Sequence, residues 1–347
     1  MNSPAASAAE NTATRAAVAR RIAVVVAILA LIAVPYAIDQ IYYVNIASQV
    51  LLYAVFALGL NVLVGYAGLV SLGSAGLFGV AAYVVAYLLA AGCGHAIAIL
   101  GGLAVGLVAT AGFAALSLRA SGISFIMITL ALGEIIWGLA YRWISLTGGD
   151  NGIGVSTRPA PFGLSLDSPR AFYDATLIVF LLAVAAVAIF VRSPFGAALC
   201  GTRDQPRRMN ALGYHVWMTR FGAFMFSGLL TSVAGILFVY YTEFISPQAV
   251  ALTASAEGLL MVISGGAGTL LGPVAGAALV VIVKNVVSAY ITRWNFMLGA
   301  IFVAIVVFMP EGLVPGAVRL TRLAWRTASR QQTKRQNAAA SAAGPQP

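Results

Sequence analysis

Between Ile22 and Val314 the chain repeats one pattern, an apolar run followed by a short polar break, and this constrains the fold more than any single motif does. A helix needs about 20 predominantly apolar residues to cross a bilayer. In the hydrocarbon, where no water satisfies backbone N–H and C=O groups, such a run must be helical. The sequence therefore predicts an all-α fold, a polytopic transmembrane helical bundle of about ten spans. They lie near 22–38, 46–64, 74–90, 96–118, 123–143, 173–191, 221–241, 249–263, 273–291 and 296–314. Charged residues make up 9% of the chain, against roughly 25% in a soluble domain. Arg15, Arg20 and Arg21 ahead of the first run resemble the start of a signal peptide. That run is long, lacks a convincing small-residue cleavage site and leads into more membrane sequence, so it is read as an uncleaved span.

Positive charge orients the bundle, because short loops rich in Lys and Arg stay in the cytoplasm. With the N-terminus inside, fifteen of the 20 basic residues fall on the inner side. Arg142, Arg158, Arg170 and Arg293 fall outside, and Lys284 lies within a span. The expectation is N-in, C-in with an even number of spans; eight spans plus two re-entrant segments keep the same parity. The organisation expected is a disordered inner segment 1–21, a membrane domain 22–318 and a basic, disordered tail 319–347. The net charge of +10 follows this topology and implies no nucleic-acid partner.

The longest basic interruption is the inner loop 192–220, where Arg192, Arg203, Arg207, Arg208 and Arg220 face one acid, Asp204. It contains a short helix with marked ends. Asp204 or Gln205 suits its cap, Pro206 its first turn, and Gly213 the left-handed position just past its end. At about two turns, Pro206–Leu212 is too short to be stable alone in water and is expected to dock on a partner. Met209 and Leu212, three apart, can present one apolar face. The alternative is a basic connector with no partner.

Two glycine-rich segments interrupt the apolar pattern, GYAGLVSLGSAGLFG (65–79) and SGGAGTLLGPVAG (264–276). Glycine weakens a helix by up to about 1 kcal/mol per residue. In membranes it permits close helix packing, and irregular backbone is tolerated where it is buried in protein or lines a cavity. Gly65, Gly68, Ser71, Gly73 and Ser74, with Gly265, Gly266, Gly268 and Thr269, are thus candidates for a polar path or its gates. Simple helix packing is the alternative. Ionisable groups within spans are few, and each costs on the order of 2.5–3.5 kcal/mol to insert. Glu134, with Trp137 and Tyr141 on its helical face, is a candidate for the path or for the outer interface. Lys284 either pairs with Glu134 or snorkels, and Glu257 suits a helix N-terminus on the outer side. The outer stretch LTGGDNGIGVSTRPAPFG (146–163) either folds over the mouth, meets a soluble partner or is a solvated connector.

Catalytic chemistry finds little here. Cys93 and Cys200 fall on opposite sides of the membrane, as do His95 and His215, and no Cys/His spacing suggests a metal. No GxxxxGK[ST] loop occurs, so ATP, if used, is hydrolysed by another chain. No loop joins a nucleophile, a base and an orienting acid.

Taken in order, LNVLVGYAGLVSLGSAGLFGVAAY, SGISFIMITLALGEIIWGLAYRW with LTGGDNGI, and SPFGAALCGTRDQPRRMNALG carry a resemblance. So do ISPQAV, EGLLMVISGGAGTLLGPVAGA and FMPEGL downstream. From about Ile46 to Pro315 the chain resembles the permease subunits of branched-chain amino acid ABC importers, and the M-type subunit more than the H-type. The resemblance implies a multi-pass protein of the bacterial inner membrane and ABC importer permease architecture. It also implies a second homologous permease chain, two ATPase subunits holding ATP and Mg, and a periplasmic solute-binding protein, with no cofactor or metal on this chain. The loop 192–220 would be the coupling loop, with Arg203, Pro206, Met209, Ala211, Leu212 and Gly213 at the ATPase. The solute would be leucine, isoleucine or valine, or a related small polar solute such as urea, a short amide or an aromatic acid. The alternative is an ion-coupled secondary carrier working alone, which a buried Glu134 and Lys284 would suit.

Overall fold

The computed structural model describes residues 40–155 and 168–290, with isolated positions at 31, 35, 166, 296, 299, 300, 303, 307, 312–314 and 316. The predicted first and tenth spans, apart from those positions, and both tails lie outside the described residues. Among the described residues, five helices are long and apolar enough to cross a membrane. The first is α1 (Ile41–Asn61), which continues as a π-helical turn, Val62–Ala67. The others are α3 (His95–Ser117), α4 (Ile123–Arg142), α5 (Pro169–Arg192) and α8 (Val216–Thr242). Three apolar helices are shorter: α2 (Ser74–Ala90), α9 (Leu252–Gly265) and α10 (Gly272–Tyr290). Between α5 and α8 lie α6 (Pro194–Asp204) and α7 (Pro206–Ala211).

The core is built around α1. Its most apolar stretch is 83% buried, against 22–28% for α3, α4 and α5, so α1 is central and those three form an outer wall. Small residues let the helices close up, as expected where packing rather than water exclusion drives association. Gly59 of α1 lies against Leu230 and Thr231 of α8, and the Ser227 hydroxyl donates to the Gly59 carbonyl at 2.7 Å. Gly102 and Gly106 of α3 receive α2 and α8, and Gly228 of α8 lies against Thr110 of α3.

Two segments break the helical pattern from opposite ends. After the π-helical turn, residues 68–73 turn back into the bundle before α2 begins. The carbonyl of Thr129, about 9 Å along α4 from its start, lies against Gly73. This irregular backbone is satisfied by side chains, Leu72 N–H donating to Thr129 Oγ1 (3.3 Å) and Ala75 N–H to Ser255 Oγ (3.0 Å). From the other end, β2 (Phe244–Ile245) and a 3₁₀ turn (Pro247–Val250) lead inward to α9. Gly258 of α9 meets the ring of Phe56, which sits about 17 Å along α1 from Ala67. The sequence expected a full span over 249–263. The observed helix has 14 residues, about 21 Å of rise, short of the roughly 30 Å hydrocarbon core.

At that outer end, β1 (Ile153–Gly154) pairs antiparallel with β2, Ile153 opposite Ile245 and Gly154 opposite Phe244. Gln248 Nε2 donates to Asp150 Oδ1 at 3.3 Å. The GGDNGI part of the outer stretch therefore folds onto the connector leading into α9. Segments that charge assigns to the inner side, namely Gly65, Gly68, Arg203 and Gly268, meet at the opposite end.

Candidate functional site

The two glycine-rich segments touch. A Cβ on Gly65 would strike the backbone nitrogen of Gly268 and lie 2.7 Å from its Cα, so only glycine allows this approach. Asn61, one turn before Gly65, clamps the crossing. Its Oδ1 accepts from Gly268 N–H and its Nδ2 donates to the Thr269 carbonyl, both at 2.8 Å. Asn61 is fully buried, and these bonds satisfy an amide that would otherwise be costly at that depth. Thr269 Oγ1 donates to the Gly266 carbonyl (2.8 Å) and accepts from Gly272 N–H (3.0 Å), holding the second segment in its turn. Gly265 lies against the carbonyl of Gly272, and Gly266 against Gly312 of the FMPEGL stretch. Ser71 and Ser74 are buried beside the crossing, the Ser74 hydroxyl donating to the Ser71 carbonyl at 3.4 Å.

The inner loop is built as a hairpin of two helices. α6 begins on Ser193, whose Oγ accepts from Gly196 N–H (3.2 Å) ahead of Pro194, an N-cap with proline in the first turn. Sequence reading had left this part as loop, although Ser193-Pro194 is a usable start signal. Leu199 and Thr202 bury α6 against the bundle, and Arg220 Nη2 donates to the Thr202 carbonyl at 3.1 Å. α7 then runs Pro206–Ala211, with Gln205 at its cap position but no side-chain capping bond. Its end is a Schellman turn: Gly213 N–H donates to the Asn210 carbonyl and Tyr214 N–H to the Met209 carbonyl, both at 3.0 Å, with Gly213 at φ +88°. Met209 turns its sulfur toward Gly201 of α6, while Leu212 is 64% exposed and Ala211 is exposed. Met209 thus anchors the hairpin, whereas Leu212 and Tyr214 project from it.

Arg203, at the end of α6, joins hairpin and crossing. Its Nη1 donates to the Gly65 carbonyl at 2.7 Å, and its stem packs on Gly68, itself at φ +69°. The π-helical turn and left-handed Gly68 leave that carbonyl accessible, since Leu69 N–H bonds back to Leu63 rather than to Gly65. Asp204 bonds Arg203 Nε at 2.8 Å and, as the first cause, holds the guanidinium above its ordinary pKa. Arg203 therefore links hairpin and crossing while 41% of its side chain stays exposed.

Glu134 and Lys284 do not meet. Lys284 pairs with Glu257, at 3.0 and 3.2 Å from its two carboxylate oxygens. The expected Glu134–Lys284 pair is corrected on this point, and so is Glu257 as a helix-terminal charge, because it is the sixth residue of α9, past the first turn, and pairs with Lys284 of α10. Glu134 is half-buried on α4, near the stacked rings of Trp137 and Tyr141. Sequence reasoning missed Asn61, whose signal was an amide in an otherwise apolar run. It also missed the Glu257–Lys284 partnership, which depends on which helices are neighbours.

An apolar helical bundle, irregular backbone buried between shortened helices and a helical hairpin bonded to a glycine crossing define a multi-pass membrane transporter subunit. Residues 42–306 match the family described as branched-chain amino acid transport system, permease component. Its relatives include the high-affinity branched-chain amino acid transport system permease protein LivM of Escherichia coli (strain K12), 29% identical over 298 residues. That match covers 78% of this chain and 70% of the relative. LivM of Salmonella typhimurium is 28% identical over the same shares. The autoinducer 2 import system permease protein LsrC of Yersinia enterocolitica is 29% identical over 154 residues, 42% of this chain and 43% of its own. No solved structure matches. The chain belongs to the branched-chain amino acid transport system permease family and is a permease subunit of an ABC importer, not an enzyme.

Proposed function

We propose that this chain is one of two permease subunits in an importer of leucine, isoleucine and valine in a bacterial inner membrane, N-in and C-in. A second homologous permease chain completes the translocation unit. Two ATPase subunits, holding ATP and Mg, act on the inner side, and a periplasmic binding protein delivers solute. The observation that carries the reading is the bond from Arg203 to the Gly65 carbonyl, because it ties the inner hairpin to the crossing of the two glycine-rich segments. Leu212 and Tyr214, both exposed, dock in an ATPase cleft. Closure of the ATPase pair moves α7, α6 follows through Met209, and Arg203 pulls on the π-helical end of α1. A hydrogen bond to a charged group contributes about 1.5–3 kcal/mol, enough to bias a two-state gate by roughly tenfold or more.

Purification in mild detergent after co-expression with candidate partner chains tests this directly. Retention of an ATPase, and ATP-dependent leucine uptake by the complex in proteoliposomes, are expected. Leucine uptake by this chain alone, driven by an ion gradient, would replace the reading with a secondary carrier.

A further inference from the structure

A cavity of about 330 Å³ lies within this single chain, where the broken segments converge. Ala75, at the start of α2, and Thr253, at the start of α9, both line it, so two shortened helices begin at one space. Phe56, Phe78 and Phe238 form its apolar wall, the last two with ring centroids 5.3 Å apart. Opposite stands the Glu257–Lys284 pair, with 18% and 33% of the side chains exposed. Gln248, bonded to Asp150 of the outer loop, sits at the edge.

The geometry points to a solute subsite inside this permease that takes a zwitterionic α-amino acid with an aliphatic side chain. An ion pair at membrane depth recovers little of its desolvation cost if sealed in apolar packing, yet here both charges face a cavity. A zwitterion offers what the pair can exchange for its mutual bond: a carboxylate for the Lys284 ammonium and an ammonium for the Glu257 carboxylate. No charge is left unmatched when the solute enters or leaves. The aromatic wall suits a branched aliphatic chain. The volume is at the small end of the roughly 300–1,000 Å³ of ligand pockets, the size class of a single amino acid. Deep sites between broken helices are a recurrent solution for binding ions and zwitterions in membranes.

This inference rests on the importer reading, and the test separates the two. In the complete importer carrying C93S/C200S, Thr253→Cys is labelled with a water-soluble thiol reagent. Leucine is expected to slow labelling about tenfold, while leucinamide, lacking the carboxylate, and 4-methylpentanoate, lacking the ammonium, do not. The exchanged pair E257K/K284E keeps an ion pair but reverses it against the fixed aromatic wall, so an amino acid bound the other way round no longer points its side chain at the rings. It is expected to lose protection and about tenfold or more in uptake. Equal protection by leucine and both analogues, or full uptake by E257K/K284E, overturns the subsite while leaving the importer reading intact. If the exchanged variant fails to insert, the analogue series on the native pair still decides. Loss of leucine uptake in the unmodified importer instead strikes the importer reading itself.

Discussion

Replacing Gly65 with alanine should separate the two glycine-rich segments. The new Cβ would meet the Gly268 nitrogen and Asn61 Oδ1, and lie 2.7 Å from Gly268 Cα. Two of these neighbours are backbone and the third is clamped by its own hydrogen bonds, so none yields cheaply. Overpacking of this kind costs about 1–3 kcal/mol. Forcing the segments apart also breaks both Asn61 bonds, about 1 kcal/mol each. The sum is roughly 3–5 kcal/mol, equivalent to a shift of about 10²–10⁴-fold between two gate positions. Leucine uptake and ATP hydrolysis, measured on the same proteoliposomes, should show uptake reduced by about two orders of magnitude with ATPase still bound at α7. A lowered melting temperature of the complex should accompany it. Uptake within about twofold of wild type and an unchanged melting temperature would refute the close approach of Gly65 and Gly268, because a clash worth over 1 kcal/mol cannot vanish from both readouts.

The remaining expectations test other parts of the same path. Gly213→Val places a β-branched residue at φ +88°, where strain costs about 1–3 kcal/mol. It should weaken ATPase retention about tenfold while membrane levels stay normal. Leu212→Asp should do the same without backbone strain, and full retention in both variants would make the hairpin a mere connector. Thr269→Cys, half-exposed, should react with aqueous thiol reagents at rest, whereas Ser71→Cys and Ser74→Cys, both buried, should react only during ATP turnover. Labelling of all three that ignores nucleotide would remove the crossing from the gate. Glu134→Gln should lower uptake severalfold at normal membrane levels, because its helix face is not covered by this chain; unchanged uptake would assign Glu134 to the interface beside Trp137 and Tyr141.

Much of this arrangement is written in local sequence. The apolar runs place the long helices, since length and hydropathy are properties of each run alone. Pro206 and Gly213 mark α7 because they act through their own backbone angles. The glycine-rich segments announce irregular backbone for the same reason. What sequence hides is pairwise. Nothing in EGLLMVISGG states that Glu257 faces Lys284, because that depends on α9 lying beside α10. Asn61 reads as one polar residue in an apolar run until its two partners, more than two hundred residues away, come into view. Arg203 shows why a motif residue needs a structure. Its sequence position suggests the ATPase surface, and only the structure adds that its guanidinium reaches the Gly65 carbonyl.

The joint between hairpin and crossing is tested most directly by Arg203→Gln, with uptake and hydrolysis measured together in the reconstituted complex. Loss of a charged hydrogen bond worth about 1.5–3 kcal/mol should lower leucine transported per ATP hydrolysed by roughly tenfold or more, while the ATPase stays bound and active. A transport-to-hydrolysis ratio equal to wild type would show that movement of the hairpin reaches the crossing by a route that does not pass through Arg203.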